Sequence, residues 1–140
     1  MLRPSKDHKS KKKKKSRPWY DISYDDMIMY VALGGAIGAM GRYGISMIPV
    51  KTSFPVLTLF TNIIGAILIG FISGLLQGRS ALFWKTGVCG GFTTFSTFSL
   101  EALNLYEAKY YGAAGLYILL SVGACIFGVA CGKKLSSLIG

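Results

Sequence analysis

The stretch that decides the fold is Gly87-Val-Cys-Gly-Gly-Phe-Thr-Thr-Phe-Ser-Thr-Phe-Ser-Leu-Glu101, in the third of four apolar segments. Its adjacent glycines, Gly90 and Gly91, precede five hydroxyl-bearing residues, and phenylalanine recurs at every third position from Phe92 to Phe98. Glycine weakens a helix, and irregular backbone at membrane depth occurs only where it is buried in protein or lines an aqueous cavity. The stretch therefore predicts an interrupted helix, broken between Gly90 and Thr93, at the functional centre of the protein.

The composition of the whole chain is that of a membrane protein. The 140 residues are 51% hydrophobic and 16% charged, with a mean hydropathy of +0.45, whereas soluble domains are roughly 25% charged. Membrane spans of about 20 residues fit the segments 27–48, 56–76, 81–106 and 113–131. We therefore predict an all-α, multi-pass protein of the cell membrane with four transmembrane helices. Four helices can hardly surround a pore and also pack their own interior, which favours an oligomer.

The charges predict the orientation of the chain. Residues 1–26 form a basic tail, expected to be disordered and cytoplasmic, in which nine lysines and arginines precede residue 18. With Arg79, Lys85, Lys133 and Lys134, thirteen basic residues lie on the side of the termini, against Lys51 and Lys109 on the other. Such a bias predicts that both termini are cytoplasmic. Residues 27–134 are then the transmembrane domain and 135–140 a short tail. The basic N-terminal tail is expected to contact lipid headgroups rather than nucleic acid.

Two polar side chains within the spans leave alternatives open. Arg42 continues the Gly34-xxx-Gly38 face of the first span, and it either reaches the lipid headgroups or lies at a pore mouth. Asn62 is the most polar residue well inside the second span, where it either joins helices by hydrogen bonds or presents an amide to a permeating species. The glycines themselves are predicted to form packing faces, as in Gly70-xxx-Gly74 and Gly128-xxx-Gly132.

The third and fourth spans offer weaker donors. Phe95 and Phe98 share one helix face, and the positive edges of their rings can approach an anion. Thr94 and Ser96 add hydroxyl groups, and Tyr117 and Ser121 begin a polar stripe on the fourth span. Glu101, an acid near span depth, caps a helix, pairs with Arg42 or Lys109, or lies at a pore vestibule. The three cysteines have no metal-binding spacing and are interpreted as small packing residues.

Three motifs, in order in three successive spans, give the chain a family resemblance. They are Gly34-Gly35-x-x-Gly38-Ala39-x-x-Arg42-Tyr43, Thr58-Leu59-x-x-Asn62-x-x-Gly65, and Gly90-Gly91-Phe92-Thr93-Thr94-Phe95-Ser96-Thr97-Phe98-Ser99 with Glu101. Residues 27–134 thereby resemble the small fluoride channels called CrcB or Fluc. The sequence departs from the family at Thr61, where an apolar residue is expected, and at Ala66-Ile67, in place of Ser-Phe.

The resemblance implies an antiparallel dimer with two pores that conduct fluoride passively out of the cell. By position, the carbonyls of Gly90 and Thr93 would hold a structural Na⁺ at the dimer centre. Fluoride would pass residues of three kinds, which are the pore amide of Asn62, the ring edges of Phe95 and Phe98, and the polar groups of Thr94, Ser96, Tyr117 and Ser121. Arg42 would lie near an entrance.

The basic tail bears on assembly. A subunit that inserts both ways should have balanced loop charges, and this chain is biased thirteen to two. We therefore expect insertion in one orientation and pairing with an oppositely oriented paralogue, with a homodimer as the alternative. Two other functions are weighed: a four-helix proton-coupled multidrug exporter, which needs an acid deep in a span, and a non-transporting assembly subunit. No catalytic constellation is present, so the chain is not expected to be an enzyme.

Overall fold

Five helices make up most of the chain in the computed structural model, which describes residues 23–139. We name them α1 (Tyr24–Ser46), α2 (Val56–Leu75), α3 (residues 78–92), α4 (Phe95–Glu107) and α5 (Tyr111–Ser136). Within the described residues, α1, α2 and α5 are long and apolar enough to cross a membrane. The other two, α3 and α4, occupy the predicted third span. Most of the predicted basic tail, residues 1–22, lies outside the described part of the chain.

The helix ends differ from the predicted spans by a few residues. The first helix begins at Tyr24, so Asp25 and Asp26 lie in its first turn rather than before it. The last helix was predicted to stop at Lys133 and Lys134, and this was wrong, because both lysines lie in the last turn of a helix that continues to Ser136. Acids in a first turn and bases in a last turn complement the helix dipole. Asp25 and Asp26 therefore belong to the first helix, and Lys133 and Lys134 belong to the last helix, rather than lying outside them.

The predicted glycine face of α1 packs against α3. A methyl group added at Gly34 would overlap the Phe83 carbonyl, and one at Gly38 would overlap the carbonyl of Val88. The two backbones are therefore in direct contact, as predicted. The contacted part of α3, Leu82–Cys89, is a π-helix, continuous with short α-helical turns on either side. The sequence did not predict this wider helix, a form that occurs most often at functional sites.

A second glycine seam joins α2 to α5. Gly70 lies against the backbone of Val129, and Gly132 lies against the carbonyl of Ile67. Side chains at these positions would separate the two helices, so the predicted small-residue faces are confirmed as packing faces.

The helix α4 completes the fold by packing on the first half of α5. Phe98, Ala102 and Leu105 of α4 form a buried cluster with Ala114 and Tyr117 of α5. The opposite face of α5, which includes Leu119, Ile126 and Phe127, is exposed. The buried cluster fixes α4 to α5 and thereby sets where the interrupted span resumes.

Candidate functional site

The interruption of the third span lies at Thr93 and Thr94. Both residues have extended backbone, with φ −82° and ψ 155° at Thr93 and φ −146° and ψ 112° at Thr94. The prediction placed the break from Gly90 to Thr93, but both glycines are helical. Gly91 packs against the Gly35 carbonyl of α1. Close packing therefore holds Gly91 in the helix, and the break follows it.

Asn62 supports the broken backbone. Its Nδ2 donates to the Thr94 carbonyl at 3.1 Å, and its Oδ1 accepts from the Thr94 N–H at 2.8 Å. The side chain thus replaces both hydrogen bonds that the interrupted helix fails to give Thr94. This geometry favours the helix-joining alternative. The second Nδ2 hydrogen makes no bond within residues 23–139, so the role as a pore amide stays a prediction.

The side chain of Thr94 caps the helix that follows. Its Oγ1 accepts from the Thr97 N–H at 3.2 Å and donates to the Thr97 hydroxyl at 3.0 Å. The exposed Ser96 hydroxyl lies 3.3 Å from the same oxygen. Threonine is a favoured N-cap residue because its oxygen binds an N–H that the helix leaves free. The hydroxyl of Thr94 therefore starts α4, in addition to any role in lining a path.

The break also leaves main-chain carbonyls at the end of α3. Arg42 Nε lies 3.4 Å from the Gly91 carbonyl and donates to it. This contact places Arg42 beside the break, on the α1 side. Within the described residues, the carbonyls of Gly90 and Thr93 accept no hydrogen bond. The Thr93 N–H and hydroxyl both donate to the Cys89 carbonyl, at 3.0 Å each.

A groove of about 380 Å³ brings most of the predicted site residues together. Its walls come from α2, from the chain around the break and from α5. Seven of the ten predicted site residues line it, namely Asn62, Gly90, Thr93, Thr94, Phe95, Phe98 and Ser121. Arg42, Ser96 and Tyr117 do not line it. No lysine or arginine is among its lining residues.

The two phenylalanines of the groove differ in burial. Phe95 is 76% exposed and Phe98 is 7% exposed. Their ring centroids are 5.3 Å apart with the planes inclined at 49°. They share one helix face, as the spacing predicts. One ring is therefore fixed in the core, while the other is free to meet a partner molecule or an ion.

Tyr117 lies behind the groove wall. It is fully buried, and its ring centroid is 5.3 Å from that of Phe98. Its hydroxyl donates to Glu101 at 2.7 Å, and Thr58 donates to the other carboxylate oxygen at 2.9 Å. Lining of the path by Tyr117 would require its hydroxyl to leave Glu101. The partners of Glu101 are thus hydroxyls, not the Arg42 or Lys109 that the sequence suggested.

Among the buried side chains of residues 23–139, that of Ser121 has a polar atom without a hydrogen-bond partner. Its residue is 6% exposed, and its Oγ has no hydrogen bond to any of the described residues. An unpaired buried hydroxyl costs about 1–3 kcal/mol. Ser121 lines the groove, and its Oγ is itself buried.

Comparison with known proteins shows the family. Residues 29–133 match the family model described as CrcB-like protein, Camphor Resistance (CrcB). The chain belongs to the CrcB family. The resemblance drawn from the three motifs is therefore confirmed, and with three span-length apolar helices the chain is a multi-pass membrane protein.

The chain matches three curated relatives over nearly all of their length, and each relative is named fluoride-specific ion channel FluC. The relative from Ruminiclostridium cellulolyticum is 41% identical over 80% of this chain and 93% of its own. That from Methanococcus maripaludis is 44% identical over 78% and 94%, and that from a Ruegeria species 49% over 75% and 90%. These names are of ion channels, which agrees with the expectation that the chain is not an enzyme.

Sequence reasoning missed some members of the site. Thr58 entered only as part of a motif, although its spacing of four residues from Asn62 indicates a shared helix face. Cys89 and Cys125 line the groove, and their apolar surroundings gave no signal for this. Gly65 admits the methyl group of Thr93.

Proposed function

We propose that the chain is a fluoride-selective channel that carries fluoride passively across the cell membrane and so lowers cytoplasmic fluoride. The observation that carries the proposal is the groove. It joins the broken helix, its supporting asparagine, two phenylalanines and an unpaired serine hydroxyl in a chain of the CrcB family. The names of the relatives support fluoride as the ion.

In this proposal α3 and α4 together form the interrupted third span, which brings the number of spans to four. At about 1.5 Å per residue, their lengths suffice to cross the roughly 30 Å hydrocarbon core. Neither α3 nor α4 is long enough to cross the hydrocarbon core by itself, which explains why neither is among the helices of span length. Buried protein contacts around Thr93 and Thr94 make the irregular backbone tolerable at membrane depth.

The two helix ends at the break have opposite polarity. The N-terminus of α4 carries partial positive charge and favours an anion, and the C-terminus of α3 carries partial negative charge and favours a cation. Thr94 begins α4, and Phe98 and Ser121 line the same groove. This arrangement supports an anion path along the side of α4, past Asn62, Phe95 and Phe98.

The strength of the donors suits conduction rather than storage. Fluoride is small and tightly hydrated, so a path must replace its water with other donors. Ammonium or guanidinium groups along the path would hold the ion too tightly for it to leave. The groove offers hydroxyl, amide and ring-edge groups instead, with no lysine or arginine among its lining residues.

A structural Na⁺ at the break is part of the proposal. Two carbonyl oxygens fit such an ion. The carbonyls of Gly90 and Thr93 accept no hydrogen bond within the described chain, and oxygen ligands suit Na⁺. A side chain at Gly90 would meet no atom within 4 Å, so this part of α3 is open to a second subunit. Na⁺ would offset the free carbonyls where the bilayer supplies no water.

The functional unit in the proposal is an antiparallel dimer of four-span subunits. In a single chain, Phe95 and Gly90 are exposed beside the groove, and a second subunit would close it. The charge bias of thirteen to two favours a partner of opposite orientation that is a separate paralogue, although a homodimer is also compatible with the groove. Membrane lipid would contact the exposed apolar faces.

The proposal is tested by ion efflux from liposomes that contain the purified protein. Fluoride efflux is measured with a fluoride electrode, and chloride efflux is the control. We expect fluoride-selective efflux from the protein alone or with its candidate partner subunit. Absence of such efflux in both preparations would overturn the proposed function. Replacing Na⁺ by a large organic cation is expected to lower both the flux and the melting temperature.

Neither alternative finds support in the relatives, all named as fluoride channels. A proton-coupled exporter of organic cations needs an acid free to bind its substrate, whereas Glu101 accepts two hydroxyl hydrogen bonds. An assembly subunit would not need a groove with an unpaired buried hydroxyl.

A further inference from the structure

Glu101 is a partly buried acid whose contacts join three helices. It lies on α4, accepts from Thr58 of α2 at 2.9 Å and accepts from Tyr117 of α5 at 2.7 Å. A carboxylate among apolar spans is costly unless its oxygens are hydrogen-bonded. Here each oxygen has one hydroxyl donor. The carboxylate is therefore held in place from both sides and does not line the groove.

Tyr117 passes this constraint to the aromatic cluster. The tyrosine is completely buried, and its ring lies 5.3 Å from that of Phe98 and 5.5 Å from that of Phe54. The contact with Phe54 is edge-to-face, at 82°. Because Phe98 lines the groove and Tyr117 lies behind it, the orientation of Tyr117 limits the orientations open to Phe98.

We propose that Glu101 is a positioning residue of the groove wall, whose carboxylate fixes Tyr117 and, through Tyr117, the Phe98 ring. This inference rests on the proposed fluoride path. A second effect follows from the same bonds, because Glu101 keeps the Tyr117 hydroxyl out of the groove. Ser121 is then the hydroxyl-bearing residue of α5 that lines the groove.

The experiment is a double-mutant cycle between Glu101→Gln and Tyr117→Phe, measured in fluoride and chloride efflux and in melting temperature. Glutamine keeps the shape of the side chain but has one acceptor oxygen, and phenylalanine keeps the ring without its hydroxyl. Glu107→Gln is the matched control, since Glu107 is an exposed acid on the same helix. Flux is expressed per folded protein, judged by size-exclusion chromatography.

We expect each single variant to lower fluoride flux roughly tenfold and to lower the fluoride-to-chloride ratio. Because residues that act as one unit couple strongly, the effects of the two substitutions should not multiply. The double variant should be no worse than the poorer single variant, and Glu107→Gln should match the parent. If the double variant loses the product of the two effects, Glu101 acts on the ion independently of Tyr117 and the proposal is overturned. Lower melting temperature with unchanged flux and selectivity would reduce Glu101 to structure alone and also overturn it.

Two further measurements keep the test decisive. If Glu101→Gln does not fold, Thr58→Val and Tyr117→Phe remove the two donors one at a time, and only Tyr117→Phe should lower selectivity. If the parent protein shows no fluoride efflux either alone or with its candidate partner subunit, the proposed function has failed, but the melting temperatures still report on coupling between Glu101 and Tyr117. Additive melting shifts in that case would overturn the positioning link as well.

Discussion

Asn62 and Thr94 exchange two hydrogen bonds, one in each direction, so that a side chain on α2 serves as main chain for the gap between α3 and α4. The same gap exposes the start of α4 to the groove. The proposed anion path therefore depends on Asn62, whose hydrogen bonds in this structure go to the backbone.

Asn62→Ala is expected to destabilise the protein by about 2–3 kcal/mol, because it leaves a donor and an acceptor of Thr94 unpaired. Asn62→Asp keeps the acceptor for the Thr94 N–H but sets a carboxylate oxygen against the Thr94 carbonyl, so it should also destabilise. Melting in detergent, together with fluoride efflux, checks both. Asn104→Ala, at an exposed position on α4, is the control and should change little. Equal melting temperatures for Asn62→Ala and Asn104→Ala would contradict the supporting role.

Phe95→Ile and Phe98→Ile should separate function from stability. Both are expected to cut fluoride flux severely, since both rings line the groove. Only Phe98→Ile should also destabilise, by about 1–2 kcal/mol, because it loses buried packing and its contact with Tyr117. The control is Phe127→Ile, at a residue that is 71% exposed and lies outside the groove. Near-normal flux in both groove variants would return the rings to a packing role.

Gly38 and Gly44 of α1 test the glycine face with the same substitution. Gly38→Ala would bring a methyl group into the backbone of Val88 and Phe92, and backbone cannot move aside as a side chain can. We expect a loss of about 1–3 kcal/mol or more. Gly44→Ala enters open space in a helix and should stabilise by up to about 1 kcal/mol. Equal shifts in melting temperature would show that α1 and α3 are not in close contact.

The elements that could be predicted from the sequence are those set by local pattern. Hydropathy located the spans to within a few residues, and the glycine spacing of Gly34 and Gly38 indicated their packing face. The family motifs brought Asn62, Phe95 and Phe98 into one site. Each of these follows from composition or from a motif that is contiguous in sequence.

The remainder depends on contacts between spans. Gly91 stays helical because it packs on Gly35, so the break moves to Thr93 and Thr94 although glycine is the weaker helix former. The partners of Glu101 lie 43 residues before it and 16 after it along the chain, and no local pattern selects hydroxyls over the basic residues. The π-helical part of α3 lies where α1 and α3 pack together, and the sequence of one segment does not show a contact between two segments.

Lys109→Gly tests the turn between α4 and α5. Lys109 has φ 65°, a left-handed conformation that favours glycine. The turn is closed by the Tyr110 N–H, which donates to the Leu105 carbonyl at 3.0 Å. We expect the substitution to stabilise by about 1 kcal/mol, the usual cost of this conformation for residues with a side chain. Ala108→Gly, at a neighbouring residue with φ −72°, should not stabilise, and a gain there would attribute the effect to flexibility.

Neutralising the tail tests the orientation of the chain. Changing its nine basic residues to glutamine leaves four basic residues on the side of the termini against two on the other. Because orientation follows the lysine and arginine bias of the flanking segments, we expect the parent to place both termini in the cytoplasm and the neutral variant to insert both ways. A cysteine at Ser137, in a Cys131→Ala background, is labelled with a membrane-impermeant thiol reagent in whole cells.

The matched control for this measurement removes charge from the opposite side, as Lys51→Gln with Lys109→Gln, and should leave the parent orientation unchanged. Labelling of the parent from outside in about half of the molecules would show dual insertion. Such a result, with functional homodimers, would contradict the pairing with an oppositely oriented paralogue. Protection of the parent, with flux only after a second subunit is added, would support it, because one orientation alone cannot form an antiparallel dimer.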